Sequence, residues 1–401
     1  MSEATHSKDS PATSGGMSQF LTGLMAASCG LIVANLYYAQ PLAGLIGDAL
    51  RLPPSQDGLI VTFTQIGYCL GLLLIVPLAD LLENRRLIVT MTGGAAVALV
   101  AAGTATSGSV FLITMGLVGL ASVAVQILVP FAAHLAPEAS RGRVVGNVMS
   151  GLMLGIMMAR PVASLIAQFL SWKSVFLISA VLMAGLAVIL ARCLPSRRPG
   201  VQQGYGQLLF SMLHLLLDAR PLQRRAFYQA CMFGAFSLFW TVTPLMLMGP
   251  RFQFSQAEIA LFAIVGLAGA VAAPLAGRFA DRGNIQAASL MAMLLSAGAF
   301  AATWVVPESW FLPVLTLAGV LVDVGTSANL VLGQRVLFVL APEQRARLNG
   351  LYMAIFFVGG AIGSALGGWA YQASGWQLAS ALGCVLPLLA FLVCLTERKA
   401  K

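Results

Sequence analysis

Of 401 residues, 59% are hydrophobic and only 9% charged, and the mean hydropathy is +0.87. Soluble domains carry roughly 25% charged residues, so an ordinary soluble core is excluded. Apolar runs of about 20 residues, rich in Gly, Ala and Leu, indicate membrane helices and exclude a barrel, whose strands alternate in pieces of roughly 10 residues. The net charge of +9 implies no nucleic-acid partner, because basic residues beside membrane helices mark the cytoplasmic face instead.

Residues 1–17 are polar, without the basic start and cleavage site of a signal peptide, and are expected to form a disordered cytoplasmic tail. Twelve spans follow. The first six cover 18–46, 56–79, 87–106, 109–135, 144–169 and 174–194, within a unit 18–194. A polar cytoplasmic linker, 195–225, separates them from 226–249, 256–280, 285–306, 310–340, 348–371 and 376–396, within a unit 226–396; a short tail, 397–401, ends the chain. With both termini inside, only Arg51, Lys173 and Arg251 fall in outer loops. Every other basic residue outside the spans lies on the inner side, which fixes the expected orientation.

The two halves repeat one another. The charged turn Val76-Pro77-Leu78-Ala79-Asp80-Leu81-Leu82-Glu83-Asn84-Arg85-Arg86 between spans 2 and 3 returns as Gly277-Arg278-Phe279-Ala280-Asp281-Arg282-Gly283 between spans 8 and 9. Ser55-Gln56 corresponds to Ser255-Gln256, Leu135-Ala136-Pro137-Glu138 to Leu340-Ala341-Pro342-Glu343, Gly155 to Gly359 and Trp172 to Trp376. Polar and Trp positions matching in order indicate a six-plus-six duplication.

These residues resemble the major facilitator superfamily over essentially the whole chain after the tail. The Asp80 and Asp281 turns are similar to its loop motif. Asn35-Leu36-Tyr37-Tyr38-Ala39-Gln40-Pro41 and Ala159-Arg160-Pro161 are similar to the bacterial twelve-helix efflux branch, near the purine-ribonucleoside and sugar efflux proteins. The resemblance implies an all-α membrane protein of two pseudo-symmetric six-helix bundles, with spans 1, 4, 7 and 10 lining a central path. Departures accompany it: Val76, Leu81 and Glu83 replace the usual Gly, Arg and Gly, Met115 stands where many proton-coupled relatives carry Arg, and the antiporter motif reads Arg160-Pro161-Val162-Ala163-Ser164.

No GxxxxGK[ST] loop, HExxH pair or CxxC spacing occurs, so no cofactor, metal or enzymatic activity is expected. The six cysteines (Cys29, Cys69, Cys193, Cys231, Cys384, Cys394) read as small residues in or beside spans, and His6, His134 and His214 as structural or solvated. Charges within spans are informative, since each costs at least about 2.5–3.5 kcal/mol on insertion scales. Arg160 and Asp323 lie well inside, at depths differing by about 5 Å at the helical rise, with Arg335 nearer an end. Thr316, Asp323, Ser327 and Gln334 share a stripe, as do Ser237, Trp240, Thr241 and Pro244; Ser122 and Gln126 offer another, and Ser28, Asn35 and Tyr38 a fourth. Asn35, Tyr38, Gln126, Trp240, Thr241 and Ser327 are the expected cavity residues.

Asp323 is the candidate proton carrier, with Arg160 tuning it, because apolar burial disfavours a carboxylate and a nearby cation favours it. A static Arg160–Asp323 pair, or an Arg160 that binds an anionic substrate group, are the alternatives. Gly359, Gly363 and Gly367, with Gly151 and Gly155, suit close helix contact where the two bundles slide. Asp80, Arg85, Arg86, Asp281 and Arg282 form an expected cytoplasmic latch.

The expected protein is a monomeric secondary transporter of a small organic solute in the bacterial inner membrane, using proton-coupled efflux and alternating access. An organic-anion uptake symporter and a non-transporting membrane sensor or scaffold are the other readings. The topology has a direct test: a membrane-impermeant thiol reagent applied from outside leaves Gln202→Cys in the linker unlabelled, and labelling there overturns the orientation.

Overall fold

A computed structural model describes residues 18–199, 204–267, 285–340 and 345–397. The expected tails 1–17 and 398–401 and the second charged turn, with Asp281 and Arg282, lie outside the described residues. Among the described residues, nine helices are long and apolar enough to cross a membrane. The last, Arg347–Leu395, is two spans, because Ser374 and Gly375 leave helical geometry between them. Gly375 has φ 66°, which glycine adopts without a Cβ clash. Two shorter apolar helices, Gln19–Ala34 and Gln256–Gly266, stand at spans 1 and 8. The all-helical fold with twelve span positions is as the sequence implies.

Local chemistry sets the ends. Ser18 accepts the Leu21 N–H at 3.1 Å to cap span 1, and Ser107 and Ser171 cap spans 4 and 6 in the same way. Ser255 and Glu258 form a capping box at span 8. Span 1 does not run to 46 as hydropathy suggests. Its helix stops at Ala34, and the N–H groups of Asn35, Leu36 and Tyr37 donate three residues back. Such winding is tighter than an α-helix, and Pro41, lacking an N–H, cannot extend the regular ladder. Helix resumes at Ala43–Leu50. Span 4 also divides, into Gly108–Ser122 and Ala124–Leu135. The segment 195–225 contains a helix, Tyr205–Asp218, and the span 7 helix begins at Arg220.

Packing repeats as the sequence does. Trp172 meets the edge of Phe111 at 5.6 Å between ring centres in one half, and Trp376 meets Phe311 at 6.4 Å in the other. Gly151 and Gly155 of span 5 back onto Ala26 and Gly30 of span 1, while Gly359 and Gly363 of span 11 back onto Ala230 and Gly234 of span 7. These glycines therefore seat helices within each half and do not form the surface between halves, which corrects the sliding role expected of them. Their spacing is right for contact; only the partner helix could not be read from one sequence.

The halves meet elsewhere. Toward the end bearing Arg51 and Arg251, Gly58 of span 2 lies against Ser364 and Gly368 of span 11. Thr62 shares a 2.8 Å hydrogen bond with Ser364, and Gln65 donates to Ser237 at 2.9 Å. The Ala257 N–H donates to Gln168 at 3.2 Å across the same seam. At the opposite, charge-rich end a cavity opens between the halves, walled by Gln126 and Phe131 on one side, Arg347 and Gly350 on the other, and by Leu208 and Met212 of the linker helix.

Gly155→Ala and Gly363→Ala each drive a methyl group into a backbone carbonyl of the facing helix, and each is expected to cost about 1–3 kcal/mol of stability. Gly93→Ala, with nothing within 4 Å of the new methyl, is neutral or gains up to about 1 kcal/mol from helix propensity. Thermal unfolding in detergent compares the three.

Candidate functional site

Arg160 sits in span 5, immediately before Pro161, and is 3% exposed. Its Nε donates to Gln40 Oε1 at 2.7 Å, from the tight turn that follows span 1. Its guanidinium lies over three rings: Tyr37 at 5.0 Å, Phe236 at 5.1 Å and Trp240 at 4.6 Å from their centres. A desolvated cation–π contact is worth about 2 kcal/mol, so three of them and a charge-assisted hydrogen bond offset the cost of placing the cation inside a span.

Asp323, in span 10 of the other half, is also 3% exposed. Its Oδ1 accepts the indole N–H of Trp240 at 2.7 Å. Gly266 packs against both partners: a Cβ there would lie 3.1 Å from Asp323 Oδ2 and 3.2 Å from the Trp240 ring. Arg160 and Asp323 form no direct ion pair. The pairs among the described residues are Arg85–Glu83, Arg86–Glu83, Arg225–Glu397 and Arg251–Glu308. The two membrane charges instead share one indole, whose face carries the cation and whose edge donates to the anion. Arg160 Nη2 and Gln40 Nε2 are buried donors without a partner.

The other expected cavity residues scatter. Thr241 is fully buried with its hydroxyl unpartnered, and Ser327 is half-buried one turn from Asp323. Gln126 donates to Tyr68 at 2.9 Å and lines the cavity at the charge-rich end. Asn35 accepts from Ser179 at 2.6 Å within its own half, and Tyr38 is buried while its neighbour Tyr37 faces Arg160. Gln334 donates to Asn349 of span 11, away from the Asp323 cluster. Tyr37 and Gln40 escape a helical-stripe search because residues 35–42 do not wind as an α-helix. Phe236 could have been found, one turn before Trp240 on the same face.

At the charged turn, Asp80 is exposed on the cavity rim. Arg85 and Arg86 pair with Glu83 at 3.4 and 2.7 Å. A hydrogen bond from Ser196, with Arg86, Arg85 and Arg198 adding positive charge, holds the Glu83 carboxyl below the usual range. Asn84 links the same turn to the end of span 6: its N–H donates to the Arg197 carbonyl at 3.0 Å. Glu83 is thus the acid around which this turn is built, a role its sequence position alone did not reveal.

Comparison with known proteins agrees with this architecture. The Major Facilitator Superfamily model matches residues 18–307 and again 225–401. The chain is 39% identical over 385 residues to the transporter YgaY of Escherichia coli O157:H7, covering 94% of this chain and 95% of that one. It is 24% identical over 354 residues to a probable sugar efflux transporter of Pasteurella multocida, covering 87% and 85%. Its fold resembles the crystal structure of the nucleoside transporter NupG, with TM-score 0.74, 15% identity and coverage of 93% and 99%. A duplicated twelve-span helical architecture and matches of this extent identify the chain as a multi-pass membrane transporter belonging to the Major Facilitator Superfamily.

Proposed function

We propose that this transporter exports a small organic solute in exchange for protons by alternating access, with Asp323 carrying the proton and Arg160 governing its release. The observation that carries the reading is the shared indole: a buried acid on one half and a buried base on the other, held apart by Trp240 and not locked in an ion pair. Apolar burial disfavours a carboxylate and a nearby cation favours it, so rocking the unit 18–194 against 226–396 changes the balance as the indole parts from one charge or the other. Arg160 and Asp323 belong to opposite units, which ties proton binding to that motion. With both termini cytoplasmic, the cavity at the charge-rich end faces inward; Asp80 stands at its rim, and Arg85 and Arg86, paired with Glu83 in the same turn, act with it as gate residues. Export is supported by the resemblance at 35–41 and 159–161 and by the efflux name of the Pasteurella relative. The working unit is taken as a monomer.

A second reading has its own observation. Arg160 Nη2 and Gln40 Nε2 are neighbouring buried donors that lack an acceptor, and leaving such a group unmade costs about 1–3 kcal/mol. A carboxylate on the substrate would supply that acceptor. Its charge would then compete with Asp323 for Arg160, so anion and proton would bind together and the chain would be a symporter.

Proteoliposomes screened with nucleosides, sugars, amphipathic cations and carboxylates under an imposed pH gradient decide between these readings. The expected outcome is solute movement opposite to the proton gradient, falling to the no-gradient level in Asp323→Asn; full gradient dependence in that variant removes the proton role. Arg160→Ala that loses carboxylates while sparing neutral solutes, with solute and protons moving together, replaces export by anion symport.

A further inference from the structure

The helix Tyr205–Asp218 within the linker has three distinct sides. The first faces protein. Leu208 and Met212 are 1% and 5% exposed; Met212 belongs to an apolar cluster with Leu222, Leu348 and Tyr352, against which Leu73 of the first half packs. Two polar contacts fix this side: Tyr205 Oη donates to the Leu74 carbonyl at 2.7 Å, and Arg347 Nη1 donates to Ser211 Oγ at 3.2 Å. The Leu74 carbonyl is available because the chain turns into a tight helix there and Pro77 has no N–H.

The second side is an exposed edge of Gln207, His214 and Asp218, with Ser211 where that edge meets the packed side. The third side, opposite the buried face, carries Phe210, Leu213 and Leu217, which are 62%, 50% and 63% exposed. A helix with its free surface in water would show polar residues across that whole surface. This one confines them to one edge and leaves large apolar groups on the rest. Its protein contacts lie at Leu73, Leu74, Leu348 and Tyr352, residues of membrane spans, so its level along the molecule is that of the span ends.

We propose that Phe210, Leu213 and Leu217 dip into the bilayer at the headgroup boundary, with the Gln207–Asp218 edge turned to water. The helix is then an in-plane strap, bound to lipid on one side and to both halves on the other, forming a wall of the cavity at the charge-rich end. We assign the lipid surface as the occupant of the apolar face because the helix is bonded to Leu74, a span residue whose own apolar side chain is 42% exposed.

Nitroxide labelling tests this in full-length protein reconstituted into vesicles of phosphatidylethanolamine and phosphatidylglycerol. Cys193→Ser removes the exposed cysteine; the remaining five are buried. Labels at Phe210→Cys and Leu213→Cys are expected to collide severalfold more with oxygen than with a water-soluble nickel chelate, and labels at Gln207→Cys and Asp218→Cys to show the reverse. High nickel collision at all four sites puts the face in water and overturns the proposal. Low collision with both relaxants at 210 and 213 overturns it as well, because it means that protein covers the face. All four positions are exposed or at an exposed edge, so the labels leave the packed side intact.

Discussion

A guanidinium and a carboxylate buried at similar depth in a bilayer would ordinarily collapse onto one another. Here an indole stands between them. Trp240 offers its π face to Arg160 and its N–H to Asp323, so each charge is compensated without the two being joined. Direct pairing in a low-dielectric setting is strong and hard to undo. A cation–π contact on one side and a single hydrogen bond on the other are each weaker and separable, as the proposed exchange of partners would need. Gln40 completes the arrangement by fixing the direction of Arg160 through Nε and leaving one edge of the guanidinium unfilled.

The rest of the molecule divides into contacts that hold and contacts that can part. Within each half, glycines bring backbone to backbone, at Gly30 with Gly155 and at Gly234 with Gly363. Between the halves lie side-chain hydrogen bonds, such as Thr62 with Ser364 and Gln65 with Ser237, together with the ring contact of Tyr68 with Phe357 and the close pass of Gly58 along span 11. Hydroxyl and amide side chains can exchange partners with water or with each other at modest net cost. The charge-rich end is held differently, by the linker helix and by the Glu83 cluster that ties the first charged turn to the end of span 6.

Much of this is legible in the sequence, and the reasons for the exceptions are physical. Span positions follow from apolar length, and the duplication follows from polar residues recurring in order, because both are properties of the chain itself. Arg160 and Asp323 stand out because charge inside a span is costly, and they do converge on one residue, Trp240. Tyr37 and Gln40 are hidden because the regular helix ends at Ala34 and the residues after it wind more tightly, so that a periodicity of 3.6 selects Tyr38 instead. Gly359 and Gly363 announce a close contact, yet nothing in their spacing says whether the partner is span 7 or the opposite half. The helix at Tyr205–Asp218 was obscured by the arginines around it, which made the whole linker read as polar.

Helices seated carbonyl against Cα cannot slip past one another without lifting an oxygen over a backbone. Each half therefore resists sliding along its 1–5 or 7–11 crossing. In the proposed rocking motion, a shift of one side chain beside Trp240 would be applied near a fulcrum, with these backbone crossings as the lever arms on either side.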